Sequence, residues 1–327
     1  MKAVICELHG DPELLVFGDL PNPVAETGEV VIDVAAAGVN FPDTLTIRGL
    51  YQFKPELPFS PGAEAAGIVS QVGPGVTHLA VGDRVIGMLG AAGGFAEQAV
   101  ANANTCISVP DQMPLDLAAA LVFVYGTSYH AIVDRADPKA GETMLVLGAA
   151  GGVGLAAVEI GAALGLRVIA AASTEEKLQA CRNAGAAETI NYVVEDLRSR
   201  MKQLGGADIV YDPVGGEYAE PAVRSLNWLG RYLVVGFAAG EIPRIPLNLA
   251  LLKGCDIRGV FWGSFIVRNP DRHHANMDQL ARWFEDGTVK PLISKRYPLR
   301  DAPKALRDMM DRKAVGKLLI EMNSTLY

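Results

Sequence analysis

A chain of 327 residues, half of them hydrophobic and a fifth charged, carries enough apolar mass for two ordinary domains. Its formal net charge of −8 excludes the overall basic footprint that a nucleic acid or an anionic membrane surface requires, although a local basic pocket for a phosphate stays open. No targeting pattern is visible, and no apolar run reaches ~18 residues without a charge or a turn signal, so the expectation is a cytoplasmic protein with no membrane partner.

The first ~120 residues predict a mainly β module. Short apolar runs such as VVIDVAA (30–36) and AGIVSQV (66–72) are divided by tight-turn signals, GPGV and GDRV among them. At Pro114 the grain changes. The stretches Leu115–Leu121 and Gly126–Arg135 have helical spacing, and Leu115–Tyr129 is the nearest approach to a membrane span, interrupted by Asp116 and Gly126. From Thr143 a regular alternation begins, with apolar strands at MLVLG (144–148), RVIAAAS (167–173), ADIVYD (207–212), RYLVVGF (231–237) and DIRGVFW (256–262). Helical stretches at 153–164, 174–184, 195–203 and 217–228 lie between them. Strands apolar throughout, each followed by a crossover helix, imply a parallel sheet covered on both faces. Helices near Asn276–Asp286 and Asp301–Arg312 and a strand at LLIEM (318–322) close the chain. The fold class is α/β, with the boundaries placed at 1–122 plus 263–327 for a discontinuous first domain and 123–262 for the second. Cys6, Cys106, Cys181 and Cys255 show no C-x-x-C spacing and predict reduced, buried thiols.

The strongest motif is MLVLGAAGGVGLAAVEIGAALG. A buried strand ends at Gly148, and Ala150, Gly151, Gly152, Val153 and Gly154 lead into an Ala-rich helix. A pyrophosphate needs close backbone approach, free N–H groups and the positive end of a helix, and this arrangement offers all three. The strand before it, the helix after it and four further strands separate it from an ordinary tight turn. In the NAD pattern a carboxylate ends the second strand. Here that strand ends in Ala172 and Ser173, with Lys177 one turn on and Tyr192 closing the next short apolar stretch, TINY. Ser173, Lys177 and Tyr192 together suit a 2′-phosphate, which favours NADPH over NADH. Ser173 with Glu176 three residues later also reads as a capping box, and Lys177 also reads as a solvated lysine.

The ordered set MKAVICELHGDPELL, AAGVNFPDTLTIRGLY, LPFSPGAEAAGIV, GVTHLAVGDRV, YGTSYHAI, LVLGAAGGVGLAAVEIGAALG, DIVYDPVGG and RKAVGKLLIE resembles the zinc-independent quinone oxidoreductase (zeta-crystallin-like) branch of the medium-chain dehydrogenases/reductases, along essentially the whole chain. The resemblance implies a GroES-like catalytic domain, a Rossmann domain, NADPH in a cleft between them, a homodimer, and hydride transfer to a small electrophile. Zinc-binding relatives need a Cys and a His where this chain has Asn40 and Ala63, so no zinc is expected. Carried over residue by residue, Asn40 faces the nicotinamide ribose or the substrate and Thr127 contacts the nicotinamide end. Phe237 and Ala238 flank the nicotinamide amide through backbone groups, and Phe261 stands on the same wall. Lys313, or alternatively Lys317, reaches the 2′-phosphate. Tyr51 is the candidate substrate-side hydroxyl, and also reads as an aromatic packed in a loop; Asp43 and Arg48 are expected to form an ion pair shaping that loop.

Without a Lewis acid, the expected acceptors are already electrophilic, which fits quinones. Two other readings stand beside NADPH-dependent quinone reduction. One is an enoyl, 2-alkenal or acyl-CoA alkene reductase on the same scaffold. The other is an NADPH-binding structural or regulatory protein with little turnover.

Overall fold

The computed structural model describes residues 1–322, so 323–327 of the expected return segment lie outside the described residues. The chain divides into two compact units. The first holds Met1–Phe123, Ile266–His274 and the segment from Pro291 onward; the second holds Val124–Phe265 and Ala275–Lys290.

In chain order the first stretch gives β1 (Lys2–Ile5), β2 (Val16–Asp19), β3 (Glu29–Val39), α1 (Phe41–Thr46), β4 (Glu64–Val72), β5 (Arg84–Met88), β6 (Gln98–Asn102) and β7 (Ile107–Ser108). Helix α2 (Leu115–Tyr129) follows and widens into a π-helical turn over His130–Ala136. The run from 115 to 136 is long and apolar enough to cross a membrane by length and composition, but 72% of its apolar window is buried, which marks a core helix.

The alternation is then β8 (Thr143–Val146), α3 (Gly152–Ala163), β9 (Arg167–Ala172), α4 (Glu175–Asn183), β10 (Glu188–Asn191), α5 (Leu197–Gln203), β11 (Ala207–Asp212), α6 (Ala219–Arg224), β12 (Leu226–Val234), α7 (Asn248–Lys253) and β13 (Asp256–Gly259). The chain ends in α8 (Trp262–Arg268), α9 (Pro270–Glu285), β14 (Ile293–Pro298), α10 (Ala302–Met310) and β15 (Lys317–Glu321). Several elements differ from the sequence reading: α1, α7, α8 and β14 lie where it placed no element, and β12 begins at Leu226, inside the expected helix 217–228. The TINY stretch forms a sixth parallel strand, because β10 pairs with β9 over Glu188–Asn191. Helix α9 starts at Pro270, six residues before the expected 276, since proline suits the first turn of a helix, where no N–H is needed.

The second unit is an all-parallel sheet in the order β10-β9-β8-β11-β12-β13. The order reverses between β8 and β11, the topological switch point at which open α/β sheets bind ligands. Leu145, Ile169, Val210, Ala222, Leu226 and Met201 form its core, which explains why the strands read as apolar on both faces. The first unit is built on a seven-stranded sheet, β14-β15-β3-β4-β5-β7 with β6 also on β3. Leu318 of β15 pairs with Val39 of β3, so Lys317 arrives opposite Asn40.

Candidate dinucleotide and substrate sites

In the second unit the glycine turn continues the sheet before it becomes helix. Leu147 donates its N–H to Tyr211 O and Ala149 donates to Ala171 O, so both neighbouring strands hold the turn. Gly148 sits at φ +56°, a left-handed conformation that glycine adopts without strain. Gly151 is the N-cap of α3, and the first N–H groups of that helix, at Gly152 and Val153, have no intrahelical acceptor. They lie at the positive end of a twelve-residue helix. A Cβ on Gly154 would stand 2.4 Å from Gly148 O and 2.7 Å from Ala149 Cα, so only glycine lets α3 pack this close to β8. Ala150 is buried within the turn, and Ala156 and Ala157 are buried against the sheet. Ser128 of α2 donates to Val153 O at 2.8 Å and shares a 2.8 Å hydrogen bond with the Tyr211 hydroxyl. Sequence reasoning missed Ser128; its one signal is a second hydroxyl, after Thr127, near the end of a mostly apolar helix.

At the next two strand ends Ser173 and Lys177 come together, with Lys177 Nζ 3.4 Å from Ser173 Oγ. Asn191 pairs with Ala172, which puts Tyr192 and Ser173 side by side one step beyond the ladder. The Tyr192 ring packs on that of Tyr218, centroids 4.6 Å apart. The expected Ser173 capping box does not form. Thr174 is the N-cap of α4 and accepts the Lys177 N–H at 3.3 Å, leaving the Ser173 hydroxyl beside the ammonium group. Of the two flanking acids, Glu175 is tied to Arg182.

Thr127 is buried in α2, Phe237 and Ala238 lie in the turn after β12, and Phe261 follows the edge strand β13. The Ala238 N–H is already donated to Pro213 O at 3.0 Å, and Phe237 O accepts from Gly240. What fixes this turn is Asp212, which the sequence reading passed over. Its Oδ1 accepts N–H bonds from Val214 (2.7 Å) and Gly215 (2.8 Å), its backbone O accepts from Val235, and its Oδ2 accepts the Tyr232 hydroxyl. Burial raises the Asp212 carboxyl, and these hydrogen bonds oppose the rise.

In the first unit Asn40 is 4% exposed, and its amide makes three hydrogen bonds. Nδ2 donates to Gly38 O (3.2 Å) and Glu64 Oε1 (3.0 Å), while Oδ1 accepts from Lys317 Nζ at 2.5 Å. Only one Oδ1 lone pair remains for a ligand. Lys317 also meets Glu64 Oε1 at 2.7 Å, and Glu64 Oε2 accepts the Phe123 N–H. With side chains 3% and 0% exposed, this is a buried ion pair, so Lys317 is not the alternative phosphate ligand that the sequence suggested. Lys313 is a surface residue paired with Asp311 (2.9 Å) and Asp308 (3.3 Å). The expected Asp43–Arg48 ion pair is absent. Arg48 Nε donates to Thr44 O on its own helical turn, and Asp43 Oδ2 accepts the Asn40 N–H at 2.7 Å. Tyr51 packs edge-on against Phe53, and its phenol is raised by burial and then by the Asp43 charge.

Family models match both units: the alcohol dehydrogenase GroES-like domain over residues 26–111 and the zinc-binding dehydrogenase domain over 152–285. The chain is 38% identical to a quinone oxidoreductase-like protein 2 homolog of Nematostella vectensis over 98% of this chain and 88% of that one. It is 33% identical to a human quinone oxidoreductase, covering 98% and 97% of the two chains. The chain belongs to the quinone oxidoreductase-like branch of the medium-chain dehydrogenases/reductases. It is an oxidoreductase. Among solved structures, Escherichia coli quinone oxidoreductase complexed with NADPH superposes with a TM-score of 0.92 at 30% identity, covering 98% of this chain and all of that one (100%). A mycobacterial protein complexed with NADPH gives 0.93 at 32% identity, with coverage of 98% and 100%.

The name of one matched domain refers to zinc. Zinc takes thiolate, imidazole or carboxylate ligands in tetrahedral groups. In this member of the branch, position 40 is an amide facing an ammonium group and position 63 is alanine. Among the described residues no three His, Cys, Asp or Glu side chains gather closely enough to hold a metal.

Proposed function

We propose that the chain reduces quinones with NADPH by direct hydride transfer, without a metal. The observation that carries this reading is the set of strand ends around the sheet's switch point. The β8–α3 turn offers a backbone cradle for a pyrophosphate, and Ser173, Lys177 and Tyr192 stand at the two neighbouring strand ends as hydroxyl and ammonium donors for a 2′-phosphate. NADPH-bound relatives of the same fold support the choice of cofactor.

NADPH, when bound, supplies a hydride to an acceptor that needs no further activation. The chain's own residues hold and orient. Gly152 and Val153 present N–H groups to the pyrophosphate. Thr127, Phe237, Ala238 and Phe261 shape the nicotinamide end, with Asp212 and Tyr232 bracing the turn that carries two of them. In the first unit the remaining Oδ1 lone pair of Asn40 accepts from a ribose or substrate hydroxyl, and Tyr51 donates to the substrate oxygen. A quinone that gains a hydride becomes the hydroquinone monoanion and completes the reduction with one proton from solvent. Lys313, which pairs with Asp308 and Asp311 on the surface, is left out of this proposed phosphate site.

The exposed Trp228, Leu251, Leu252 and Ile257 lie along β12, α7 and the edge strand β13, which fits a homodimer joined edge to edge. Four buried, unpaired cysteines fit a reducing, cytoplasmic setting.

The test is a screen of 1,2- and 1,4-quinones, 2-alkenals and crotonyl-CoA, followed by NADPH absorbance. Rapid quinone turnover is expected; fast alkene reduction with inert quinones would replace the quinone by an alkene. Lys177→Ala should weaken NADPH about tenfold or more and leave NADH nearly unchanged. Equal loss for both cofactors removes Lys177 from the phosphate site. Elemental analysis should find no zinc in the active enzyme.

A further inference from the structure

Among the described residues, the first unit buries one more carboxyl than its buried ammonium groups can neutralise. Lys317 contributes a single ammonium group, and that group is already bonded to Glu64 and Asn40. Asp43, 1% exposed, is the surplus acid. Its Oδ2 is fixed by the Asn40 N–H, whereas Oδ1 completes no hydrogen bond. The Ala63 N–H leans on the carboxyl and favours its ionised form, without the geometry of a full hydrogen bond. A buried polar atom left this way calls for an explanation, since such atoms are rare in folded proteins.

We propose that Asp43 is a positioning residue for the reaction, an ionisable carboxyl behind Asn40 and Tyr51 whose proton sets the charge met by the substrate oxygen as it turns negative. The inference rests on the reading of Asn40 and Tyr51 as the substrate face. Transfer of a hydride to a quinone or an enone places negative charge on an oxygen of the acceptor. A carboxylate in a low-dielectric interior opposes that charge; the protonated carboxyl does not.

The surroundings of Asp43 agree. The titratable groups acting on it or acted on by it are Lys317 from β15, Glu64 from β4 and Tyr51 from the following loop. Arg48, at the end of its own helix, turns to Thr44 O, and His9 turns to Ile47 O. Helix α10, which also packs on α1, directs Arg307 to Glu13 and Asp308 to the Tyr297 hydroxyl. No other cation among these neighbours offsets the charge. Burial pushes the Asp43 carboxyl up to about 7, with the Asn40 N–H and Lys317 pulling down and Glu64 pushing further up. Its proton therefore exchanges close to neutrality.

Asp43→Asn tests this with little change of shape, because the amide oxygen can still accept from Asn40 N. With one quinone at fixed concentration, wild-type kcat/KM should fall by about tenfold as pH rises from about 6 to about 8, and Asp43→Asn should lose that limb. A merely structural Asp43 gives the opposite result: a variant with the wild-type pH profile and a lower Tm. That outcome overturns the proposal.

A ligand-free measurement reads the same proton. A carboxyl raised in the folded state takes up protons on folding between its unfolded value near 4 and its folded value near 7, so stability falls as pH rises through that window. The wild-type Tm should decline relative to Asp43→Asn across that range. A constant difference also overturns the proposal. A wild type that reduces no acceptor at any pH is a different result, because it removes the proposed function itself.

Discussion

The glycine turn of the second unit and the buried array of the first prepare for ligands with opposite materials. Between Gly148 and Gly154 the working groups are main-chain N–H groups, held by strands on either side and by residues within seven positions of one another. Asn40, Glu64 and Lys317 work through side chains, and the bond from Lys317 to Asn40 spans 277 positions of sequence. A site made of backbone is specified by local geometry and tolerates changes in distant residues. A site made of buried charge depends on every partner arriving, and it fails when any one is missing. The predictions below probe that contrast.

The largest effect belongs to the array. Lys317→Met leaves Glu64 buried without its cation and should cost about 3–5 kcal/mol in denaturant unfolding. Glu64→Gln combined with Lys317→Met should recover much of that loss; a double variant as unstable as the single one would show that packing, not charge, sets the cost. Next comes the turn. Gly154→Val places side-chain atoms against Gly148 O and Ala149 Cα, which are backbone and cannot swing aside. We expect a loss of about 1–3 kcal/mol together with much weaker NADPH binding by titration calorimetry. Smaller again is Thr174→Ala, which removes the N-cap of α4 and should lower stability by ~1 kcal/mol with little change in turnover. Lys313→Met should leave the unfolding midpoint unchanged and NADPH affinity intact. A loss of affinity there would return Lys313 to the phosphate site.

The same contrast explains what could be read before folding. The turn announces itself because glycines, the strand before and the helix after are contiguous, and the crossover alternation follows from strands apolar on both faces. Ser173, Lys177 and Tyr192 were legible for a related reason. A Rossmann unit places its second and third strand ends at nearly fixed distances from the glycines. The array was only half legible. Asn40 stood out through the family resemblance, but nothing local to it announces that Glu64 and Lys317 hold its amide, and Lys317 read as a phosphate ligand because its partner lies on another strand. Asp43 was assigned to the nearest arginine in sequence. In the structure its backbone neighbours and its burial decide instead, and Arg48 caps its own turn. Ser128 and Asp212 escaped notice because each braces a main chain elsewhere, a role carried by no spacing in the sequence.

The register that sets Leu318 beside Val39 also has a consequence for how the protein is made. Asn40, Asp43 and Glu64 leave the ribosome more than 250 residues before Lys317, as the 253-residue separation of the Glu64–Lys317 pair records. At ordinary elongation rates that interval is on the order of tens of seconds. All six parallel strands of the second unit emerge in the meantime and can pair, while Asp43 on α1 and Glu64 on β4 wait without a counter-ion. Glu64 is therefore made long before the one ammonium group that pairs with it, and Asp43 stays without a cation of its own even after β15 has docked.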